Sequence, residues 1–474
     1  MRNLYAFLAL ALVTSAAAQN AIPKTTEPIF VDSRKRLSQE WKPTETYTIK
    51  QLDGYVEGKD EAYSKFGGIA SSEFEATGFF RTQKHKGRWW LIDPEGHLFI
   101  HKAVCAIATH KSSPSFTPYF EEKFGSDAVW AEAATEQMWD LGFNGAAAWS
   151  KNDIIRPTAN PLVYVTKTSF MGTYARQRGI AQMGTGNNSY KAGVIPVFDP
   201  EFAEFADEYA KRFAATKDDP YLLGHFSDNE MPLRTTNLEQ YLALDPADPG
   251  YVSAHSWLAK RKGKDSVTIA DADDADKNAF LGYVIETYGR IVSGAIKKYD
   301  PNHLYLGHRM IRVFRVEDAV KAYAKHADVM TFNYYGPWML PADLMASWAE
   351  WVDRPFIISE WYAKGLDTPH LTNEAGAGWM TKGQKYRGYY YQNMVLNLLA
   401  ARNSVGWHWF RYGDNDMKNT KVDPSNTNSN KGIINYKYEL YTELTDQMKE
   451  INTQVYRIAG FFDDTDYEAG VSGK

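Results

Sequence analysis

Two glutamates each close a short apolar run: Glu230 ends YLLGHFSDNE and Glu360 ends FIISE. Each run has the length of one strand, so each carboxyl is presented at a strand end. A carboxyl pair about 5–5.5 Å apart serves glycoside hydrolysis with retention, one group protonating the leaving oxygen while the other attacks the anomeric carbon. Their neighbours extend that reading. Asn229 can hydrogen-bond a sugar 2-hydroxyl. Tyr334 or Tyr335, in FNYYG, can donate to Glu360, hold it ionised as a nucleophile and orient it. Trp407 and Trp409 alternate with His408 in GWHWF and offer an indole floor. Asp228 is a hydrogen bonder behind the glutamate or a substrate contact, and Trp338, in YYGPWM, is a stacking platform or a loop anchor. A single glutamate at a strand end is most often a solvated surface residue. Two, on strands that an independent count numbers four and seven, turn the reading toward chemistry.

That count comes from the pattern after residue 76, where short apolar runs alternate with helical segments. Candidate strands fall near Ile100, Phe143, Val163, Leu223, Leu304, Val329, Ile357 and Gly406. Between them lie amphipathic stretches such as EFAEFADEYAKRFAAT and NAFLGYVIETYGRIVSGAIKKYD, with a last helix expected from roughly Glu439 to Arg457. Alternation of this kind implies parallel βαβ units. Eight of them predict an α/β fold, a (β/α)8 TIM barrel with a short N-terminal extension. Catalytic groups of such barrels stand at the C-terminal ends of strands, where strands four and seven face each other across the mouth. Residues 19–75, polar and rich in Pro and Lys, read as an N-terminal arm or small cap, 76–465 as the catalytic barrel, and 466–474 as a tail.

Composition narrows the partners. A formal net charge of −5 provides no basic field for nucleic acid or anionic membrane. MRNLYAFLALALVTSAAAQN has a positive start, an apolar core and an A-x-A site, so residues 1–18 read as a Sec signal peptide of a periplasmic or secreted protein. No other run approaches a membrane span. Cys105 is the single cysteine, so no intrachain disulfide is available, and in KAVCAIA it reads as a buried small hydrophobe. Two-carboxylate chemistry calls for no cofactor and no metal, and neither phosphate-loop nor zinc spacing occurs.

The order and spacing of GRWWLIDPEGHLF, MWDLGFNGAAAWS, VFDPEF, GHFSDNE, YLGHRM, MTFNYYG, ISEW and GWHWFRYGD resemble clan A retaining glycoside hydrolases, and more narrowly the β-agarases of glycoside hydrolase family 50. The resemblance covers about residues 75–465. It implies Glu230 as acid/base, Glu360 as nucleophile and Asn229 as a substrate contact. It also implies His408 and Trp409 as lining of the sugar site and Arg309, in the strand-five motif, as its support. An agar-type galactan, agarose or porphyran, is the substrate so implied. The chain departs from the family in its short N-terminal part, in the small residues of GFNGAAAWS and in Asp414-Asn415-Asp416 after strand eight. Another β-linked glycan (a β-galactoside, mannan or glucan) and a non-catalytic glycan-binding barrel are the alternative readings.

Overall fold

The computed structural model describes residues 22–183, 188–423 and 426–468; the expected signal peptide lies outside them. Eight strands share one sheet: β1 (His101–Val104), β2 (Gly145–Ala146), β3 (Val163–Lys167), β4 (Leu222–Phe226), β5 (Leu304–Tyr305), β6 (Met330–Asn333), β7 (Phe356–Trp361) and β8 (Ser404–Trp409). Their order is β5-β4-β3-β2-β1-β8-β7-β6, with every pairing parallel. The two edges approach each other. Met310, beyond β5, bridges Phe332 of β6, and the Asp328 amide donates to the Tyr305 carbonyl. The sheet therefore curls round on itself as in a TIM-like barrel.

Helices follow the strands: α1 (Asp127–Asp140), the single turn α2 (Asn152–Ile155), α3 (Phe202–Ala210), α4 (Asp274–Tyr299), α5 (Glu317–Ala324), α6 (Ala342–Trp351), α7 (Gln384–Ala400) and α8 (Thr442–Asn452). Strands covered on both faces carry nearly unbroken apolar sequence, and all six residues of β7 are buried. The longest helix, α4, starts at a capping box between Asp273 and Asp276. The expected helix from Glu439 to Arg457 is instead two, α8 and Val455–Asp463. Thr453 Oγ1 and Gln454 Nε2 turn back onto the Lys449 and Glu450 carbonyls and end α8, while the Asp60 carboxylate accepts from the Tyr456 and Arg457 amides and starts the next.

The lower barrel interior is apolar. Val163, Leu223, Leu304, Val329, Ile357 and Val405 pack there with Phe80, Leu91 and Phe99 of an antiparallel sheet (Arg81–His85, Arg88–Ile92, Leu98–Phe99). Each such aliphatic side chain stabilises the fold by roughly 1.5–3 kcal/mol through burial. That sheet plugs the N-terminal end of the barrel and leaves the other end open. Higher in the interior sits His101, beside glycines on both neighbouring strands. A Cβ on Gly145 would stand 2.2 Å from its Nε2, and one on Gly406 2.5 Å from its carbonyl.

A second, four-stranded sheet joins the N-terminal segment to the end of β7. Ile29–Arg34 pairs with Lys42–Thr46 and with Trp379–Thr381, which in turn pairs with Ala363–Gly365, two residues past β7.

Candidate active site

The register of β7 shifts against both of its neighbours near its end, at Phe332/Asn333 and at Ile358/Trp361. Such irregularities re-aim side chains, and here Ser359 and Glu360 both meet polar partners of the barrel interior. Ser359 Oγ donates to Asn333 Oδ1 at 2.8 Å. Glu360 is 8% exposed. Its Oε1 accepts from the Tyr335 hydroxyl at 2.5 Å, and its Oε2 from Arg309 Nη2 at 2.8 Å and Asn333 Nδ2 at 3.5 Å. Burial pushes the Glu360 carboxyl above its ordinary value; Arg309 opposes this, Glu230 reinforces it, and the Tyr335 hydroxyl and Lys431 oppose it. The expectation that a tyrosine would hold Glu360 ionised thus meets a larger opposing effect, removal from water.

Glu230 reaches the same place from β4. It is half-buried with φ of 48°, and its Oε1 accepts from Asn333 Nδ2 at 2.8 Å. One amide nitrogen therefore touches both carboxyls. Arg309 ties the group together. Its Nη1 donates to Asn229 Oδ1 at 2.6 Å, and its Nη2 to the Ser359 carbonyl at 2.7 Å as well as to Glu360. Its guanidinium lies 4.3 Å from the Trp149 ring centroid. Arg309 and Trp149 share the left-handed backbone of Glu230, with φ of 49° and 65°. Each such non-glycine residue costs on the order of 1–3 kcal/mol, and this kind of strain gathers at functional sites.

The remaining candidates separate. Tyr335 contacts Glu360, whereas the Tyr334 hydroxyl donates to the Met339 carbonyl and is buried away from it. Asp228 is enclosed and does not face the cleft. It accepts from Tyr288 on α4, from Ser169, and from the Met171 and Gly172 amides that open the helix Phe170–Gln177. Trp338 is an anchor, not a platform: it is buried, its Nε1 donates to Thr46 Oγ1, and its ring packs on Trp379 and Tyr390. The indole floor expected on β8 is not there. Trp407 and Trp409 turn outward to Tyr391 of α7, and His408 is enclosed in the interior against His101, 2.9 Å away. The polypeptide leaves β8 through a cis peptide between Phe410 and Arg411.

Sequence reading missed four residues. Asn333 hid inside the apolar run of β6, although a polar residue next to the tyrosines was its signal. Trp149, 40% exposed beside Arg309, closes the GAAAW run as the glutamates close theirs. Lys167 ends β3 in the same way. Lys35 had no local signal; its Nζ donates to the Tyr335 carbonyl at 2.9 Å and lies 4.4 Å from the Trp379 ring centroid. The loop that carries Tyr335 is further held by Trp379 Nε1, which donates to the Gly336 carbonyl at 3.2 Å.

Among the described residues, one group of side chains has metal-ligand geometry: His225, Asp300 and His303, all buried, with donor atoms within 4.8 Å of one another. Those atoms already bond among themselves, His225 Nε2 to Asp300 at 2.7 Å and His303 Nδ1 to Asp300 at 2.8 Å. The outer nitrogens meet Thr166 Oγ1 and the Asp219 carbonyl. The group is a self-satisfied clamp joining β3 and β4 to the end of α4.

No protein-family model matches the chain. Two curated relatives do, both from Vibrio sp. (strain JT0107). Beta-agarase B is 24% identical over 83% of this chain and 50% of its own length. Beta-agarase A is 27% identical over 78% of this chain and 45% of its own. The chain thus spans about half the length of the curated relatives it matches. Among solved structures, BpGH50 superposes with a TM-score of 0.82 at 29% identity, covering 93% of this chain and 98% of that one. In sequence and in architecture, the chain resembles the β-agarases and their glycoside hydrolase family 50 relatives.

Proposed function

We propose that this protein is a retaining β-glycoside hydrolase that cleaves an agar-type galactan, agarose or porphyran, through a glycosyl-enzyme. The observation that carries the reading is the shared contact of Asn333 Nδ2, 2.8 Å from Glu230 Oε1 and 3.5 Å from Glu360 Oε2. Two oxygens on one nitrogen stand closer than the ~6.5–9.5 Å that an inverting pair needs to hold water between them, which supports retention.

In the first step Glu360 attacks the anomeric carbon and Glu230 gives its proton to the departing glycosidic oxygen. In the second, Glu230 takes a proton from water, which displaces Glu360 and releases the sugar with its original configuration. Arg309 and Tyr335 donate to Glu360 and fix the plane of its carboxylate for attack. Asn229, held by Arg309 beside the two glutamates, is the side chain assigned to the sugar 2-hydroxyl. The signal-like residues 1–18 support export to the periplasm or medium as part of this reading; mass analysis of the mature N-terminus tests that.

The function is tested by incubating the protein with agarose, porphyran, β-mannan, xylan and β-glucan and following released oligosaccharides by mass. Agarose or porphyran fragments, lost in Glu360→Ala and recovered as an inverted glycosyl azide when azide is added, are expected. Azide recovery in Glu230→Ala should instead give a retained glycosyl azide, formed by azide in place of water on the glycosyl-enzyme; an inverted azide from Glu230→Ala would exchange the two roles. Cleavage of a different glycan only would remove the galactan assignment, and binding without cleavage would leave a glycan-binding barrel.

A further inference from the structure

We propose that Lys167 and Trp149 form a subsite for an anionic substituent, a sulfate ester or a carboxylate, on a sugar bound beside the two glutamates. The inference rests on the glycosidase reading and narrows its substrate to a charged galactan.

The placement follows from strand periodicity. Side chains two apart on a strand share a face. Val163 and Val165 point into the barrel interior, so Lys167, next in that series and last in β3, points into the barrel mouth. Its neighbour across the ladder is Phe226, four residues before Glu230. Its Nζ lies 5.9 Å from the centroid of Trp149, the ring whose other close cation is Arg309. Through Arg309 that ring is one residue removed from Glu360 and Asn229.

Lys167 lacks the partner that a half-buried cation normally has. It makes neither a hydrogen bond nor an ion pair to any described residue. The one acidic group acting on it is Asp228, and Asp228 is already committed to four donors. Burial lowers the pKa of the ammonium, and Arg309 and Arg176 push in the same direction. The other cations near the site are engaged: Arg309 with Glu360, Lys431 with Asp423, and Lys364 with the Ala375 and Gly376 carbonyls. A partly desolvated charge without a counterion is costly, and a ligand anion that supplies a charge-assisted hydrogen bond removes the cost. An exposed indole beside it offers its face to the sugar ring. A neutral galactan would use the indole and leave the ammonium unmet; a sulfated one would use both.

The test compares kcat/KM on size-matched agarose-derived (neutral) and porphyran-derived (sulfated) oligosaccharides for the wild type and for Lys167→Met, which keeps the length of the stem. The wild type should favour the sulfated series, and added salt should erode that preference. Lys167→Met should lose about tenfold on sulfated substrate and stay within about twofold on neutral substrate, while Lys167→Arg should retain the preference. A wild type that favours the neutral series, or a Lys167→Met that loses equally on both, overturns the subsite. If neither series is cleaved, the glycosidase reading has failed instead. Calorimetric binding of the same oligosaccharides then decides the subsite alone: tighter binding of the sulfated one, lost in Lys167→Met, upholds it, and equal binding rejects it.

Discussion

The Tyr335 hydroxyl and the Glu360 carboxylate meet at 2.5 Å, the shortest of the three polar contacts that fix this acid. A hydroxyl that donates to a carboxylate favours its ionised form, so removing it moves the pKa up. Tyr335→Phe should shift the acid limb of the kcat/KM profile to higher pH by about 1–2 units, the equivalent of the roughly 1.5–3 kcal/mol of a hydrogen bond to a charged group. An unmoved acid limb would show that Glu360 is not the group titrating there.

Arg309 acts on Glu360 in the same direction and on Asn229 as well, through separate nitrogens. Arg309→Met should lower kcat by on the order of 100-fold and also raise the acid limb. Arg309→Lys should recover little, because a point ammonium cannot span both acceptors and the Ser359 carbonyl. Recovery to near wild-type kcat in Arg309→Lys would reduce the role to charge alone.

The buried histidines, His101 and His408 inside the barrel and His308 against Tyr288 and Tyr323 of the helix layer, make their own pH prediction. His101 is held down to about 4 and His308 to about 3 by burial, and His408 is lowered by burial, His101 and Arg309. In the unfolded chain each titrates near 6.5, so between that value and the folded one the unfolded state binds more protons. Stability should therefore be full above about pH 6.5 and fall as the pH drops toward 4, by up to about 1.4 kcal/mol per unit for each histidine. Thermal melts from pH 8 to 4 measure the slope, and His408→Gln should flatten it. An equal slope in the variant would place the protons elsewhere.

Lys35→Met removes the cation that holds the Tyr335 carbonyl from the N-terminal segment. Expected is a three- to tenfold fall in kcat, about the loss of one such hydrogen bond through misplacement of Tyr335, with KM nearly unchanged and Lys35→Arg recovering most of it. A fall in melting temperature without a change in kcat would assign Lys35 to packing only.

The eight strands were legible because a strand buried on both faces must be written almost wholly in apolar residues, so its end is marked by the first polar side chain. Glu230, Glu360, Lys167 and Trp149 all stand at or just past such ends. What failed was the face on which a side chain lies. Period-two reasoning needs an unshifted register, and β7 shifts against both β6 and β8 near the end that matters. On β8 the alternation itself holds, with Trp407 and Trp409 on one face and His408 on the other, but alternation does not say which face looks inward, and the tryptophans pack against α7. Asp228 and Glu230 differ by only two positions, yet one turns to α4 and the other to the cleft. Tyr334 and Tyr335 are adjacent in one motif and end on different partners. Asn333 had its signal beside the tyrosines and Arg309 was named only through the resemblance; the contacts that join them to Glu230, Asn229 and Glu360 run between separate strands, which local pattern does not encode.

The sheet formed by residues 29–34, 42–46, 363–365 and 379–381 has a bearing on how the chain is made. Its first two strands leave the ribosome early, and their partner Trp379–Thr381 more than three hundred residues later. Lys35 likewise waits 300 residues for the Tyr335 carbonyl, and Thr46 waits 292 for the Trp338 indole. The tyrosine that donates to Glu360 is thus held in place by a segment made far earlier than itself. On the proposed function, laying down the strands that carry the two glutamates does not complete the site; the link from residue 35 to residue 335 must also close.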